Sequence, residues 1–192
     1  YAVEEALKSG IEKFIFVTSP NKLSITNHFK HNNKLEKIIR KRDEMLFSLI
    51  SKYVLPKDKI IEVIQSQPRG LGHAIWCARK HIDGNAFAVM LPDDLIVSDE
   101  PCIKQLMNIY KEHNKSVVAL QKVKRSEVSK YGVIDYKDKI SNKVFKLNNM
   151  IEKPSKDIAP SNLAVIGRYI LMPEVMNELG KNEVGYGGEI QL

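Results

Sequence analysis

Apolar and polar positions change their period along this chain, and the changes predict its elements. Ala2, Val3, Ala6 and Leu7 share one helical face, and Gly10 stands where a left-handed cap would end that helix. Phe14-Ile-Phe-Val-Thr18 is a short continuous apolar run, the pattern of a strand buried on both faces. A helix near residues 24–29 is followed by a longer one from about Asn33, read as its N-cap, to Tyr53. Pro56 interrupts, and Ile60–Ile64 reads as a strand. Gly70-Leu-Gly-His leads into a helix through Ala74, Ile75, Cys77 and Ala78, and Ala86–Leu91 is a second buried strand ended by Pro92-Asp93-Asp94. A helix from about Pro101 to His113 and a strand over Val117–Leu120 complete the alternating part. The pattern then changes: Val133–Tyr136, Val144–Leu147, Met150–Glu152 and Ala164–Leu171 read as strands without full helices between them. Pro173 is expected as the first residue of a helix through Leu179.

This order predicts an α/β fold with a Rossmann-like, mostly parallel sheet and an added mixed or antiparallel portion in the strand-rich half. No internal repeat, low-complexity tract or long linker divides the chain, so residues 1–192 are expected to form a single domain. The opening run of helix, turn and buried strand reads as the second half of a βαβ unit whose first strand is missing. Ligands of open α/β sheets bind beyond the carboxyl ends of the strands, which directs attention to the residues just after each strand.

Composition narrows the function classes. Apolar residues make up 43% and charged residues 28% of the 192, the balance of an ordinary globular protein. No apolar run approaches the roughly 20 residues of a membrane-spanning helix. Two cysteines cannot build a disulfide framework, so the reducing cytoplasm is the expected compartment. The net charge of +7 comes from 30 basic residues, of which only six are arginine. A nucleic-acid surface favours arginine forks and aromatic platforms grouped on one face, and neither pattern occurs. The local concentration at Lys34, Lys37, Arg40, Lys41 and Arg42 alternates with Leu35, Ile38, Ile39, Leu46 and Leu49 at helical spacing, as on the solvated face of an amphipathic helix. An acidic small-molecule substrate is another use for the surplus charge.

Three strand ends carry residues capable of chemistry. In Gln65-Ser-Gln-Pro-Arg-Gly70-Leu-Gly72-His the glycines permit close backbone approach, and the following helix start could offer amides to an anion or a base edge; a plain turn accounts for the same residues. Gln65 could read a base, since its amide both donates and accepts, or could simply end a strand. Asp93 and Asp94 follow a buried strand, where a carboxylate is suited either to a divalent metal or to capping a turn. In Ile151-Glu152-Lys153-Pro154 the glutamate could accept from sugar hydroxyls and the lysine could meet a phosphate. Adjacent strand residues face opposite ways, so both serve one ligand only if the backbone turns there; a surface ion pair is the alternative. The five histidines lack a metal-binding cadence, His73 reads as a local structural residue, and no nucleophile is supported.

The combination is more specific than its parts. Gly70-Leu-Gly-His-Ala, Leu91-Pro-Asp-Asp-Leu, Tyr131-Gly-Val-Ile, Ile151-Glu-Lys-Pro, Pro160-Ser-Asn-Leu-Ala-Val-Ile-Gly-Arg-Tyr and Gly187-Gly-Glu-Ile-Gln-Leu occur in this order. Together they resemble the bacterial UTP–glucose-1-phosphate uridylyltransferases, or UDP-glucose pyrophosphorylases, over essentially the whole chain. The resemblance implies a nucleotide-sugar transferase core that joins UTP and glucose 1-phosphate into UDP-glucose and pyrophosphate. It implies that Gln65 and Gly70 contact uracil, that Asp93 holds magnesium with support from Asp94, and that Gly132 and Glu152 hold glucose. Lys153 would meet the sugar phosphate, and Glu189 would belong to the wall of the site. Asp93 and Lys153 are thus the expected catalytic residues. No nucleic-acid or membrane partner is implied, and a homo-oligomer is open for the full-length enzyme.

Departures from the family pattern matter equally. Its Gly-x-Gly-Thr-Arg loop and Pro-Lys-Glu-Met segment do not occur in these 192 residues, and Leu192 falls inside a family motif. A partial chain, truncated at both ends and inactive alone, is therefore expected. The competing expectations are a sugar-1-phosphate nucleotidyltransferase of other base or sugar preference, and a non-catalytic nucleotide-sugar-binding remnant.

Overall fold

The first helix ends as its glycine requires. In the computed structural model, which describes residues 1–22 and 24–192, α1 (Ala2–Lys8) stops at Ser9, and Gly10 takes φ +86°. The Gly10 and Ile11 amides return to the carbonyls of Leu7 and Ala6, both at 3.0 Å, which satisfies the last turn. The chain continues through β1 (Phe14–Thr18), α2 (Ser24–Asn27), α3 (Asn33–Arg42), α4 (Glu44–Ser51), β2 (Ile60–Ile64) and α5 (Leu71–Cys77). It then forms β3 (Phe87–Met90), α6 (Cys102–His113), β4 (Val117–Lys122), β5 (Gly132–Lys139), β6 (Phe145–Glu152), β7 (Leu163–Leu171) and α7 (Val175–Leu179). Among the described residues no helix is long and apolar enough to cross a membrane.

The chain divides into two compact units, one of Tyr1, Val3–Ala86 and Met172–Leu192, the other of Ala2 and Phe87–Leu171. In the first, β1 and β2 pair in parallel from Phe14 opposite Ile60 to Thr18 opposite Ile64. The helix α5 packs on β1 and α7, and Phe14, Ile75, Ala78 and Leu179 are buried. In the second, β7 is the central strand, pairing antiparallel with β3, β4 and β5, while β6 extends the sheet beyond β5. The helix α6 lies on β4 and β7 and buries Ile103 and Leu106. Val128, Val133 and Ala159 form a further apolar cluster. The architecture is thus α/β, with a parallel sheet and an antiparallel one.

Three elements differ from the sequence pattern. The single helix expected from Asn33 to Tyr53 is two helices, because Asp43 is extended (φ −155°, ψ 99°) and its side chain accepts the Leu46 amide at 2.8 Å. Aspartate favours the N-cap over a helix interior, so one residue closes α3 and opens α4. The N-cap of α3 is Asn32, whose carbonyl oxygen accepts from Leu35 while its own amide donates to Glu36. The apolar face of this pair is not buried: Leu35, Ile38, Leu46 and Leu49 are 44–50% exposed. The two short strands expected around Asn148-Asn149 are one strand, β6. Its irregular pairing is stabilised by Asn148 donating to Asp135 at 2.8 Å and by Asn149 accepting its neighbour's amide at 2.8 Å. Pro173 lies in a turn just ahead of α7, where its carbonyl accepts from Met176.

Ile103 is fully buried against the β4–β7 surface, so its truncation tests the core of the second unit. Ile103→Ala should cost about 2–5 kcal/mol in urea denaturation, and an unchanged midpoint would contradict this packing.

Candidate functional site

The candidate residues fall into two groups, one in each unit, and most of them lie at or just after strand ends. In the first unit, Gln65 follows β2 directly, and its amide continues the ladder to the Thr18 carbonyl at 2.8 Å. Its side-chain nitrogen donates to the Gly70 carbonyl at 3.2 Å and approaches His73 Nδ1 at 2.9 Å. A carbonyl can only accept, so this nitrogen is the donor. His73 Nδ1 then accepts, and its proton sits on Nε2. Both amide hydrogens of Gln65 are therefore used inside the protein, and Oε1 is the face left for a ligand. His73, read from the sequence as structural, is what orients Gln65.

The two glycines serve a close approach of the chain to itself. Gly70 has φ +99°, and a Cβ there would lie 2.8 Å from both the Glu189 Cβ and the Ile190 carbonyl oxygen. A Cβ on Gly72 would stand 2.3 Å from the Gln191 carbonyl. The Gly72 amide donates to Ile190 at 2.9 Å and the Ile190 amide to Arg69 at 2.8 Å, so the Gly72 amide is not open to an anion. The structure thus brings Gln65, Gly70 and the exposed Glu189 into one local assembly.

In the second unit, Asp93 and Asp94 follow β3. Asp93 is exposed and carries no hydrogen bond or ion pair among the described residues. Asp94 is committed: its Oδ2 accepts the Gly167 amide at 2.7 Å. Gly167 permits this contact, since a Cβ there would lie 2.6 Å from Asp94 Oδ2 and from Leu91 Cβ. Beside it, the fully buried Arg168 donates to the carbonyls of Leu91, Gly167 and Asp94, each at 2.9 Å. No group of three or more metal-ligating side chains is present among the described residues. One unpartnered carboxylate is nevertheless a donor set that fits magnesium, which keeps its waters and combines one or two carboxylates with phosphate oxygens.

Gly132 opens β5 and pairs in register with Glu152, the last residue of β6. A Cβ on Gly132 would stand 3.0 Å from Glu152 Oε2, so the missing side chain is what lets the carboxylate lie over this backbone. Lys153 takes φ +49°, a left-handed conformation rare for a side-chain-bearing residue, and its amide returns to Tyr131 at 3.0 Å. The turn comes at Lys153 itself, ahead of Pro154. It cancels the strand alternation and leaves Lys153 Nζ 3.8 Å from Glu152 Oε1, both side chains partly exposed.

Tyr169 was not singled out in the sequence. Burial, then the negative charges of Asp94 and Glu152, push its phenol up to about 12, which ties both carboxylates to this ring. The readable signal was Gly167-Arg168-Tyr169 inside an otherwise apolar strand. Because the folded protein holds this proton more tightly than the unfolded chain, whose tyrosines titrate near 10.0, stability falls as pH rises from about 10 to 12. Tyr169→Phe should remove one late-titrating tyrosine from the absorbance titration and flatten that fall; an unchanged tyrosinate curve would contradict the assignment.

Comparison with known proteins gives this geometry its family. The nucleotidyl transferase family model matches residues 1–187. UTP–glucose-1-phosphate uridylyltransferase 1 of Staphylococcus saprophyticus is 42% identical over all 192 residues, which cover 67% of that relative. The Bacillus subtilis UTP–glucose-1-phosphate uridylyltransferase is 39% identical, with 100% of this chain covering 65% of it. A crystal structure of a UDP-glucose pyrophosphorylase complexed with UDP-glucose superposes with a TM-score of 0.84 at 39% identity, covering 100% of this chain and 70% of the other. The chain therefore spans about two thirds of the length of the curated relatives it matches. With its carboxylates, glycines and lysine set at the strand ends described above, this chain belongs to the nucleotidyl transferase family, among the UTP–glucose-1-phosphate uridylyltransferases.

Proposed function

We propose that this chain carries residues for uridylyl transfer from UTP to glucose 1-phosphate, giving UDP-glucose and pyrophosphate. In this reaction an oxygen of the sugar phosphate forms a bond to the α-phosphorus of UTP while the bond to pyrophosphate breaks. The attacking oxygen is already ionised, so the protein needs no nucleophile of its own. Its task is to align the groups and offset the charge on the phosphates.

The first unit supplies the base-reading residues. The observation that carries the uracil assignment is the state of Gln65: Gly70 and His73 take both its amide hydrogens, so Oε1 offers only acceptance. Uracil presents an N3–H donor to such an acceptor, whereas cytosine presents a bare N3 there and has its donor, the 4-amino group, one position along the edge. Gly70 keeps the backbone close to the base, and Glu189 lines the same assembly. In the second unit, the Glu152 carboxylate over Gly132 accepts from sugar hydroxyls, and Lys153 neutralises the sugar phosphate. Asp93 would hold magnesium, and Asp94 holds the loop that carries Asp93. Magnesium, when bound, offsets charge on the phosphate oxygens and stabilises the pyrophosphate leaving group. Cys77 and Cys102, not joined in a disulfide, suit the cytoplasm as the place of this reaction.

Titration of the 192-residue chain with a panel of nucleotide sugars in magnesium tests this reading. UDP-glucose should bind at least about tenfold more tightly than CDP-glucose, the factor of one well-placed hydrogen bond. Gln65→Leu should erase that preference. Equal binding of the two, or a stronger response to ADP-glucose, would reject the uracil assignment.

A further inference from the structure

We propose that Arg168 is the positioning residue of the loop after β3: its buried guanidinium grips the carbonyls on either side of Asp93 and holds that carboxylate for a divalent cation. The proposal rests on the reading of Asp93 as the metal-binding residue. A fully buried arginine is costly unless its donors find acceptors, and here they find the Leu91 and Asp94 carbonyls at 2.9 Å, 77 and 74 residues away in sequence. The sheet itself does not require this charge. Met90 pairs with Arg168 in register, and the Leu91 amide reaches the Gly167 carbonyl at 2.9 Å through backbone alone. What the guanidinium adds is the path of the segment that has left the sheet. Leu91 and Asp94 are pinned, the Asp94 side chain is pinned again by the Gly167 amide at 2.7 Å, and the exposed Asp93 stands between them. The planar fork of arginine reaches the two carbonyls from two separate nitrogens held in fixed geometry; a lysine ammonium offers a single nitrogen on a flexible stem.

The test uses Mn2+ as the probe, with its free concentration read by electron paramagnetic resonance on the 192-residue chain in the presence of UDP-glucose. UDP-glucose affinity is measured separately in chelator. Arg168→Lys should weaken Mn2+ binding about tenfold, the effect of losing a partner that orients a metal ligand. Metal-free UDP-glucose binding should change less than about twofold, which a general loss of structure would not permit. Gly167→Ala, whose Cβ would meet Asp94 Oδ2 and Leu91 Cβ at 2.6 Å, should displace the same segment and weaken Mn2+ alike; it decides the matter if Arg168→Lys does not fold. Asp93→Asn separates the two readings. Wild-type Mn2+ affinity in Asp93→Asn removes the metal reading itself. Loss in Asp93→Asn with wild-type affinity in folded Arg168→Lys or Gly167→Ala overturns the role of Arg168 alone. Loss of the fold in both of those variants assigns Arg168 to stability and overturns the proposal too.

Discussion

The second unit depends on the contact between β7 and the segment leaving β3. Gly167 has no Cβ, so Leu91 and Asp94 come within 2.6 Å of where one would be, and Arg168 joins the two backbones at 2.9 Å. Any larger residue at 167 would drive the segment away, and an apolar residue at 168 would leave its carbonyls unsatisfied, a cost of about 1–3 kcal/mol for each buried group. Asp93 is exposed and without a partner among the described residues, while Leu91 and Asp94 carry the structural bonds. The two adjacent carboxylates therefore differ: Asp94 is spent on the backbone, and Asp93 faces outward, as the proposed metal-binding role requires.

The first unit uses the same device. Gly70 and Gly72 admit the backbone of residues 189–191 where a side chain would collide, and the hydrogen bonds from Gly72 to Ile190 and from Ile190 to Arg69 fix the crossing. Gln65 is then oriented by Gly70 and His73, just as Asp93 is placed by Gly167 and Arg168. In both units glycine brings chain against chain, and a polar side chain beside the crossing is left facing outward with one defined capability. At Glu152 and Lys153 the same end is reached by backbone conformation: the left-handed φ of Lys153 turns two neighbouring charges to a common side.

Local signals made much of the fold legible. Phe14–Thr18 and Ile60–Ile64 were readable to the residue: the first is a short apolar run closed by Thr18, and the second is rich in β-branched residues between Pro56 and the polar Gln65. The break at Asp43 was hidden within a run of charges, where an aspartate that caps a helix and one on its solvated face look alike. Asn148-Asn149 fell between two expected strands because asparagine is poorly suited to strands, but Asp135 across the sheet offered one of them a strand partner. At the candidate site, motifs at strand ends pointed to Gln65, Asp93, Glu152 and Lys153. The internal bonds of Gln65 and the commitment of Asp94 were not readable, since each depends on a pairing through space. Arg168 stood in the sequence only as one member of a motif, and its partners lie more than 70 residues earlier in the chain.

The central claim is that Asp93, and not its neighbour, is the carboxylate that takes the metal. Paramagnetic broadening of backbone amide signals by substoichiometric Mn2+, in the presence of UDP-glucose, tests it most directly. The account predicts broadening centred on Asp93 and Asp94 that disappears in Asp93→Asn and persists in Asp94→Asn, where a side-chain carbonyl can still accept the Gly167 amide. Broadening centred on another part of the chain, or unchanged in Asp93→Asn, would contradict it.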